Sequence, residues 1–216
     1  MLDFTPVWEN LPQLLTGLAV TFGVSMTAIL LGFFWGWALC LGAVSPRRWL
    51  AAVCGLYVSF FRGTPLLVQL MLVFYALPAI GLSLSPISAA VVALTLNTGA
   101  FQSEILRAGF RLLPRGQLEA ARDLGLSRWQ ILRHVQVAQV FRAMLPALTG
   151  ETIDIIKNSA LVSTVAVTEL MRTVQVQAST TYRPIEFFAS AGLLYLVLTL
   201  ATAKTGNWLE SRLRTA

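Results

Sequence analysis

The chain has 216 residues, 56% of them hydrophobic and only 12% charged, with a mean hydropathy of +0.70 and a formal net charge of +6. Soluble chains carry about 25% charged residues, so this composition excludes an ordinary soluble domain. No charge falls in the 37 residues between Glu9 and Arg47, the 41 between Arg62 and Glu104, or the 17 between Glu186 and Lys204. Against the roughly 20 apolar residues needed to cross a bilayer, these runs describe a polytopic membrane protein with too little mass outside the membrane for a catalytic or ATP-hydrolysing domain.

The first apolar run, about Leu14 to Val44, is longer than one span and carries Gly17, Gly23, Gly32, Gly36 and Gly42. It predicts one long tilted helix whose small residues permit close helix contact. Gly32 and Gly36 beside Trp35 and Trp37 read as internal packing in preference to a dimer seam. The N-terminus carries Asp3 and Glu9 and no basic n-region, so no cleavable signal peptide is expected. Ser45-Pro46-Arg47-Arg48 ends the first helix with a turn. A second segment starts near Trp49 and is interrupted at Phe61-Arg62-Gly63-Thr64-Pro65, where Gly next to Thr-Pro marks a kink or a broken helix. Pro78, Gly81 and Pro86 make the next loop, and a third helix is expected from about Ser88 to Phe110. Cys40 and Cys54 both lie in apolar stretches and read as small buried hydrophobes.

From Arg107 to Arg142 seven arginines face two acids, Glu119 and Asp123. Within this stretch Gln117 to Leu124 has good helix formers, Gly125 occupies a helix-stopping position, and Ser127 can cap a second short helix through Trp129 and Leu132. A basic helix–Gly–helix with Leu124, Leu126 and Trp129 suits a docking surface, and equally a helix lying on anionic headgroups. A fourth span, about Ala143 to Val167, carries Glu151, Asp154 and Lys157; a polar stretch follows from Glu169 to Arg183, with Glu169, Arg172 and Arg183 expected at the outer surface. A fifth helix runs from about Pro184 to Trp208, before the basic tail Arg212 to Arg214.

Five spans place the termini on opposite sides. With the arginine-rich loop inside, twelve of the sixteen Lys and Arg residues fall at the inner side, and only Arg62, Lys157, Arg172 and Arg183 do not. Cytoplasmic loops collect Lys and Arg, so the N-terminus is expected outside and the C-terminus in the cytoplasm. The positive charge is thereby explained by topology, and no nucleic-acid partner is expected. His134 is the only histidine, so no His-based metal cluster is available.

Ionisable residues within a span are costly and face a cavity or one another. At about 100° per residue, Glu151, Asp154 and Asn158 fall within roughly 60° of one another, and Lys157 lies about 60° from Asp154. Two uses stand side by side: internal pairing, Asp154 with Lys157 and Glu104 with Arg107 at i,i+3, or the lining of a path at a subunit interface. Arg62, at the break, can anchor the kink or meet a substrate carboxylate. A broken helix belongs beside a cavity.

Glu119-Ala120-Ala121, three residues and then Gly125 resembles the EAA loop of ABC importer permeases. Three further stretches resemble the polar-amino-acid branch, of the histidine and glutamate/aspartate type: Phe61-Arg62-Gly63-Thr64-Pro65-Leu66-Leu67-Val68-Gln69, the run from Ala93 to Ile105, and Lys157-Asn158-Ser159-Ala160-Leu161-Val162-Ser163. The resemblance covers about Leu14 to Leu209. It implies an all-α, five-span type I ABC importer permease fold: one permease domain over residues 1–216, with a cytoplasmic coupling loop over 111–142. It implies a bacterial inner-membrane transport subunit, not an enzyme, that binds no cofactor itself, with ATP and Mg held by a separate cytoplasmic ATPase dimer. The implied partners are that ATPase, a second permease (an identical copy or a paralogue), and a periplasmic or lipid-anchored amino-acid-binding protein. The coupling residues are then Glu119, Ala120, Ala121, Gly125 and Leu126. The substrate path is expected beside Arg62, Thr64, Glu104, Asp154, Lys157, Asn158 and Ser159. Two departures stand out. Where the family continues Ile-x-Leu-Pro this chain has Val135-Gln136-Val137-Ala138, which predicts a straighter lead into the fourth span, and Asn158 replaces a usual Asp, which weakens any preference for cationic side chains. Against a membrane-embedded enzyme stands the lack of a nucleophile–base constellation. Against a mere anchor stand the three charges inside a span.

Overall fold

The computed structural model describes residues 2–214. Met1, Thr215 and Ala216, at the ends of the expected 1–216 domain, lie outside the described residues, as does the side chain of Arg214 in the basic tail. Among the described residues the chain is all-helical, with no strand.

A short helix, α1 (Thr5–Glu9), leads into α2 (Leu11–Ala43), which runs 33 residues without a charge and ends before Ser45-Pro46. Helix α3 (Arg48–Gly63) stops at Thr64-Pro65, where the chain is extended (Thr64 ψ 149°, Pro65 ψ 135°), and α4 (Leu66–Met71) departs from there. It passes through a π-helical stretch, Leu72–Ala76, into Leu77–Ala79. The axis turns by 108° between Arg48–Gly63 and Leu66–Ala79, so the interruption is a full break and not a kink. Ser85 caps α5 (Pro86–Leu112), accepting from the Ser88 amide at 3.2 Å.

Helix α6 (Arg115–Asp123) closes on Gly125, whose φ of +78° is open to glycine. The Leu126 amide donates to Ala121 O at 3.1 Å and the Gly125 amide to Arg122 O at 2.8 Å, the paired bonds of a Schellman motif. Ser127 then starts α7 with a capping box: the Gln130 side-chain oxygen accepts from the Ser127 amide at 2.8 Å. The expected second short helix does not end near Leu132. Helix α7 runs on from Arg128–Gln130 through a π-helical stretch, Ile131–Gln136, into Val137–Asn158. With Ala138 where proline is usual, no residue between Arg128 and Pro146 removes a backbone donor, so helical backbone continues from the loop into the apolar segment. It tightens into a 3-10 stretch, Ser159–Val165, ended by Ala166 in the left-handed region.

The expected polar stretch after the fourth span is itself a helix, α8 (Leu170–Thr181), packed against α2 and α9 (Pro184–Arg214). Glu169 is not a surface residue. It is 1% exposed, caps α8 by accepting from the Met171 and Arg172 amides, and also accepts from Thr21 and Tyr195 hydroxyls at 3.1 Å each. Asp3, Arg183 and Glu186 form a clasp at the same end. Hydrogen bonds from the Thr5 side chain and amide, with Arg183 nearby, hold the Asp3 carboxyl below its ordinary range.

By length and apolarity, Leu11–Ala43 and Pro184–Leu213 qualify as membrane spans, and Arg48–Gly63 with Leu66–Ala79 qualifies as a bent pair. Helices α5 and α7 are long enough, but the polar residues they bury or display take them below that apolarity. Helix α2 is the spine. Three clusters of buried side chains follow one another along it, around Leu14, around Val24 and Ala28, and around Cys40. Lipid-soluble side chains gain little by leaving lipid, so close backbone approach supplies the contact energy. A Cβ on Gly36 would lie 3.0 Å from Gly99 O, and one on Gly32 would collide with Thr98. Gly32 and Gly36 are therefore internal packing between α2 and α5, as expected, while Gly17 packs on Thr173 and Leu170 of α8 and Gly42 on Cys54 of α3. Only Gly23 of the five has nothing near it. Cys40 and Cys54 are buried free thiols.

Candidate functional site

The α3–α4 break exposes the carbonyls of Phe61 and Thr64, and two buried amides satisfy them. Gln69 Nε2 donates to Phe61 O at 2.9 Å, to Thr64 O at 3.1 Å and to Thr64 Oγ1 at 2.8 Å. Asn97 Nδ2, from α5, donates to Gln69 Oε1 at 3.0 Å and to Phe61 O at 3.3 Å. Gln69 is 2% exposed and Asn97 5%. The break is thereby fixed in place, with Arg62 and Thr64 on its outer side.

Beside it lies a cavity of about 360 Å³ lined by Thr64, Leu66, Asn97, Phe101, Glu151, Asp154 and Asn158. It is the meeting point of the break, α5 and the polar stripe of α7. The Glu151 carboxyl is mostly buried and accepts from Thr98 Oγ1 at 2.8 Å. Asp154 is paired with Lys157 at 2.7 Å, and both side chains remain more than half exposed. Arg62 Nη1 stands 3.7 Å from Glu104 Oε2, and its guanidinium lies 5.3 Å from the Phe101 ring centre. Arg107 grips the same Glu104 carboxylate through Nε at 2.7 Å and through a second contact from Nη2. Two cations thus share one acid, while Glu151 has no basic group within ion-pair distance among the described residues.

Of the residues expected along a path, Thr64, Asp154 and Asn158 line one cavity, and Arg62, Glu104 and Lys157 lie in ion pairs next to it. Ser159 does not join them. It is 1% exposed and its hydroxyl donates to Ile156 O at 2.7 Å, because helical spacing puts it about 100° round from Asn158, on the face of the buried Ile155 and Ile156. Both i,i+3 pairs expected from the spacing, Asp154–Lys157 and Glu104–Arg107, are formed. The structural roles of Gln69 and Asn97 do not follow from charge placement. The available signal is that each is an amide in an otherwise apolar run facing a helix break.

The second candidate region is the α6–α7 corner. Glu119, Ala120 and Gly125 are exposed, Ala121 is buried, and Leu126 is half-buried. Leu124 is 82% and Trp129 65% exposed. A hollow of about 620 Å³, lined by Leu118, Arg122, Leu126, Arg128, Ile131 and Gln136, opens between the two helices. Large apolar side chains around a basic hollow describe a surface built for contact.

Comparison with known proteins shows the family and the fold. Residues 28–215 match the family described as "Binding-protein-dependent transport system inner membrane component". The chain is 36% identical over 214 residues to an arginine transport system permease protein of Bacillus subtilis (strain 168), covering 99% of this chain and 98% of that one. It is also 36% identical over 214 residues to an octopine transport system permease protein of Rhizobium meliloti, covering 94% and 87%. A crystal structure of an amino acid ABC transporter with histidines superposes with a TM-score of 0.91 at 34% identity, over 98% of this chain and 99% of that one. The chain belongs to the binding-protein-dependent transport system inner membrane components, a family of multi-pass transport subunits and not of enzymes.

Proposed function

We propose that the chain is one of two permease subunits of an ATP-driven importer of a polar amino acid. The solute passes beside Arg62, Thr64, Glu104, Asp154, Lys157 and Asn158, with Glu151 added to that set and Ser159 serving the backbone behind it. Five spans put the N-terminus outside and the C-terminus in the cytoplasm. A separate binding protein delivers the solute, and a separate ATPase dimer, holding ATP and Mg, receives the corner formed within residues 111–142. That whole unit, residues 1–216, acts as a single permease domain. The named relatives support the substrate class, since they are arginine and octopine transport proteins and an amino acid transporter.

One observation carries the path: a polar cavity where a fixed helix break meets the α7 stripe. An amino acid brings one carboxylate and one ammonium, and each needs a partner once water is excluded. The local charges are unevenly matched in the way such a solute complements. Arg62 and Arg107 share Glu104, which leaves cationic capacity on the break side. Glu151 lacks a cationic partner on the stripe side. The stripe's outward exposure suits a path bounded by a second permease, because one chain of five spans is too small to enclose one.

The test is purification together with the partner ATPase, followed by ATP hydrolysis measured against a panel of amino acids. Stimulation by some of them, dependent on the binding protein, is expected. A complex whose hydrolysis responds to no amino acid refutes the substrate class, and failure to co-purify with an ATPase refutes the coupling role.

A further inference from the structure

A second cavity, of about 630 Å³, lies on another side of the bundle between α2, α7 and α9. Its walls include Phe22, Leu30, Phe33, Leu145, Leu148 and Leu198. Threonines on the wall add little polarity, because Thr152, Thr202 and Thr205 each donate to the carbonyl one turn earlier at 2.8 to 2.9 Å. On α7 the wall runs from Phe141 to Thr152, about 17 Å at 1.5 Å per residue. That is close to half of a hydrocarbon core about 30 Å thick, so the groove has the length of one leaflet.

One end of the groove is basic. Gly206 of α9 meets Thr149 of α7 so closely that a Cβ there would collide, which sets the two helices in register. Arg142 on α7 and Arg212 on α9 then lie at nearly the same depth, about 9 to 11 Å beyond that contact. Arg142 is exposed and has no ion pair among the described residues. Arg212 lies over the ring of Trp208, 5.6 Å from its centre, and an exposed Trp is a usual marker of the headgroup level. At 100° per residue, Arg142 and Arg212 stand within about 80° of the groove's centre line on their helices, and Glu210 stands about 110° away. The groove also faces about 130° round α7 from the Glu151–Asp154–Asn158 stripe, away from the side where a second permease is expected.

We propose that this groove binds one acyl chain of an anionic phospholipid, taken from the leaflet at the basic end, with Arg142 and Arg212 at the headgroup phosphate. Length, apolar lining and charge complementarity coincide there: the chain fills one leaflet's depth, and two guanidinium groups meet the phosphate where the apolar wall ends. The inference rests on the membrane placement of the chain and not on which solute it carries.

The test uses the assembled transporter with its ATPase, reconstituted in vesicles of equal parts phosphatidylglycerol and phosphatidylcholine. Retained lipid is counted by native mass spectrometry, and a photoreactive Leu198→p-benzoylphenylalanine reports what occupies the groove. The expected result is retained phosphatidylglycerol in preference to phosphatidylcholine and a phospholipid adduct at position 198. Each of Arg142→Gln and Arg212→Gln lowers the preference by roughly fivefold, and Leu148→Trp, which fills the groove, abolishes the adduct. Equal retention of the two lipids, no adduct, or an adduct to a second permease overturns the proposal. Solute-stimulated ATP hydrolysis measured on the same preparation separates the two readings, since it is expected to survive in the arginine variants.

Discussion

Replacing Gln69 is the sharpest test of how the break is held. Its amide nitrogen serves the Phe61 and Thr64 carbonyls and the Thr64 hydroxyl, and its oxygen receives Asn97. Gln69→Leu keeps the volume and removes all four contacts. Phe61 O retains Asn97 as a donor at 3.3 Å and Thr64 Oγ1 retains Phe60 O as an acceptor. Thr64 O and one Asn97 proton are left without these partners in a buried site. At about 1–3 kcal/mol for each of the two orphaned groups, the loss is about 2–6 kcal/mol, which corresponds to a drop of about 4–24 °C in thermal midpoint for a chain of this size. Gln69→Glu is the control: it keeps the size and the contact to Asn97 but sets a carboxylate against two carbonyl oxygens, so it must be at least as damaging. Thermal unfolding of the assembled complex gives the first readout. Solute-stimulated ATP hydrolysis gives the second, and should fall further than the basal rate because the break positions Arg62 and Thr64. If Gln69→Leu unfolds within 1 °C of the parent, by the same about 2–4 °C per kcal/mol, and stimulation is unchanged, the amide does not hold the break.

The other expectations are more compact. Gly125→Val sets a β-branched residue at φ +78° and should abolish coupling between solute and hydrolysis while membrane insertion stays normal; full transport by this variant would show that the α6–α7 corner does not couple. Ser127→Cys should react with an impermeant thiol reagent only from the cytoplasmic side, and labelling in intact cells would reverse the topology. Glu169→Ala removes a helix cap and strands the Tyr195 and Thr21 hydroxyls, a loss of about 2–4 kcal/mol visible as lower yield of folded complex and a lower unfolding temperature. Among Arg62→Met, Glu151→Gln, Asp154→Asn and Lys157→Met, at least one should shift the solute concentration for half-maximal stimulation with the complex intact; if all four only reduce the amount of complex, they are structural residues.

Helix positions were legible because apolar runs and their breakers are strong local signals. Ser45-Pro46, Thr64-Pro65 and Gly125 all end helices in the structure. The break's 108° angle was not legible, because a Gly-Thr-Pro sequence permits a stop but tertiary contacts choose the direction. The extension of α7 down to Arg128 was missed for a related reason. A basic, half-polar stretch reads as a loop by hydropathy, yet it holds no residue that stops a helix, and the Ser127–Gln130 capping box starts one. At the site, spacing on one helix gave the ion pairs within α5 and α7, since i,i+3 partners need only local geometry. The Arg62–Glu104 contact and the Gln69–Asn97 clamp join residues 42 and 28 positions apart, and no periodicity on a single element reports them. Glu169 was misplaced because a charged residue between two spans reads as surface; its four hydrogen-bond donors come from α2, α8 and α9, which meet only on folding.

The two kinds of polar contact at the site differ in how easily they yield, and that difference bears on transport. The two amides of the Gln69–Asn97 clamp are 2% and 5% exposed, so opening it orphans carbonyls that little water reaches. The Asp154–Lys157 pair is 60% and 55% exposed, and Arg62 is 44% exposed in its contact with Glu104. Exposed pairs of this kind contribute about 0–1 kcal/mol, so a solute's carboxylate or ammonium can replace one partner at little loss. A path needs both properties at once: a backbone geometry that does not relax when the solute leaves, and charged groups whose mutual attraction does not outcompete the solute. Burying the amides and exposing the ion pairs divides those duties between different residues. Neutralising a stripe charge should therefore alter the solute response without unfolding the chain, whereas removing the clamp amide should lower the unfolding temperature and the solute response together.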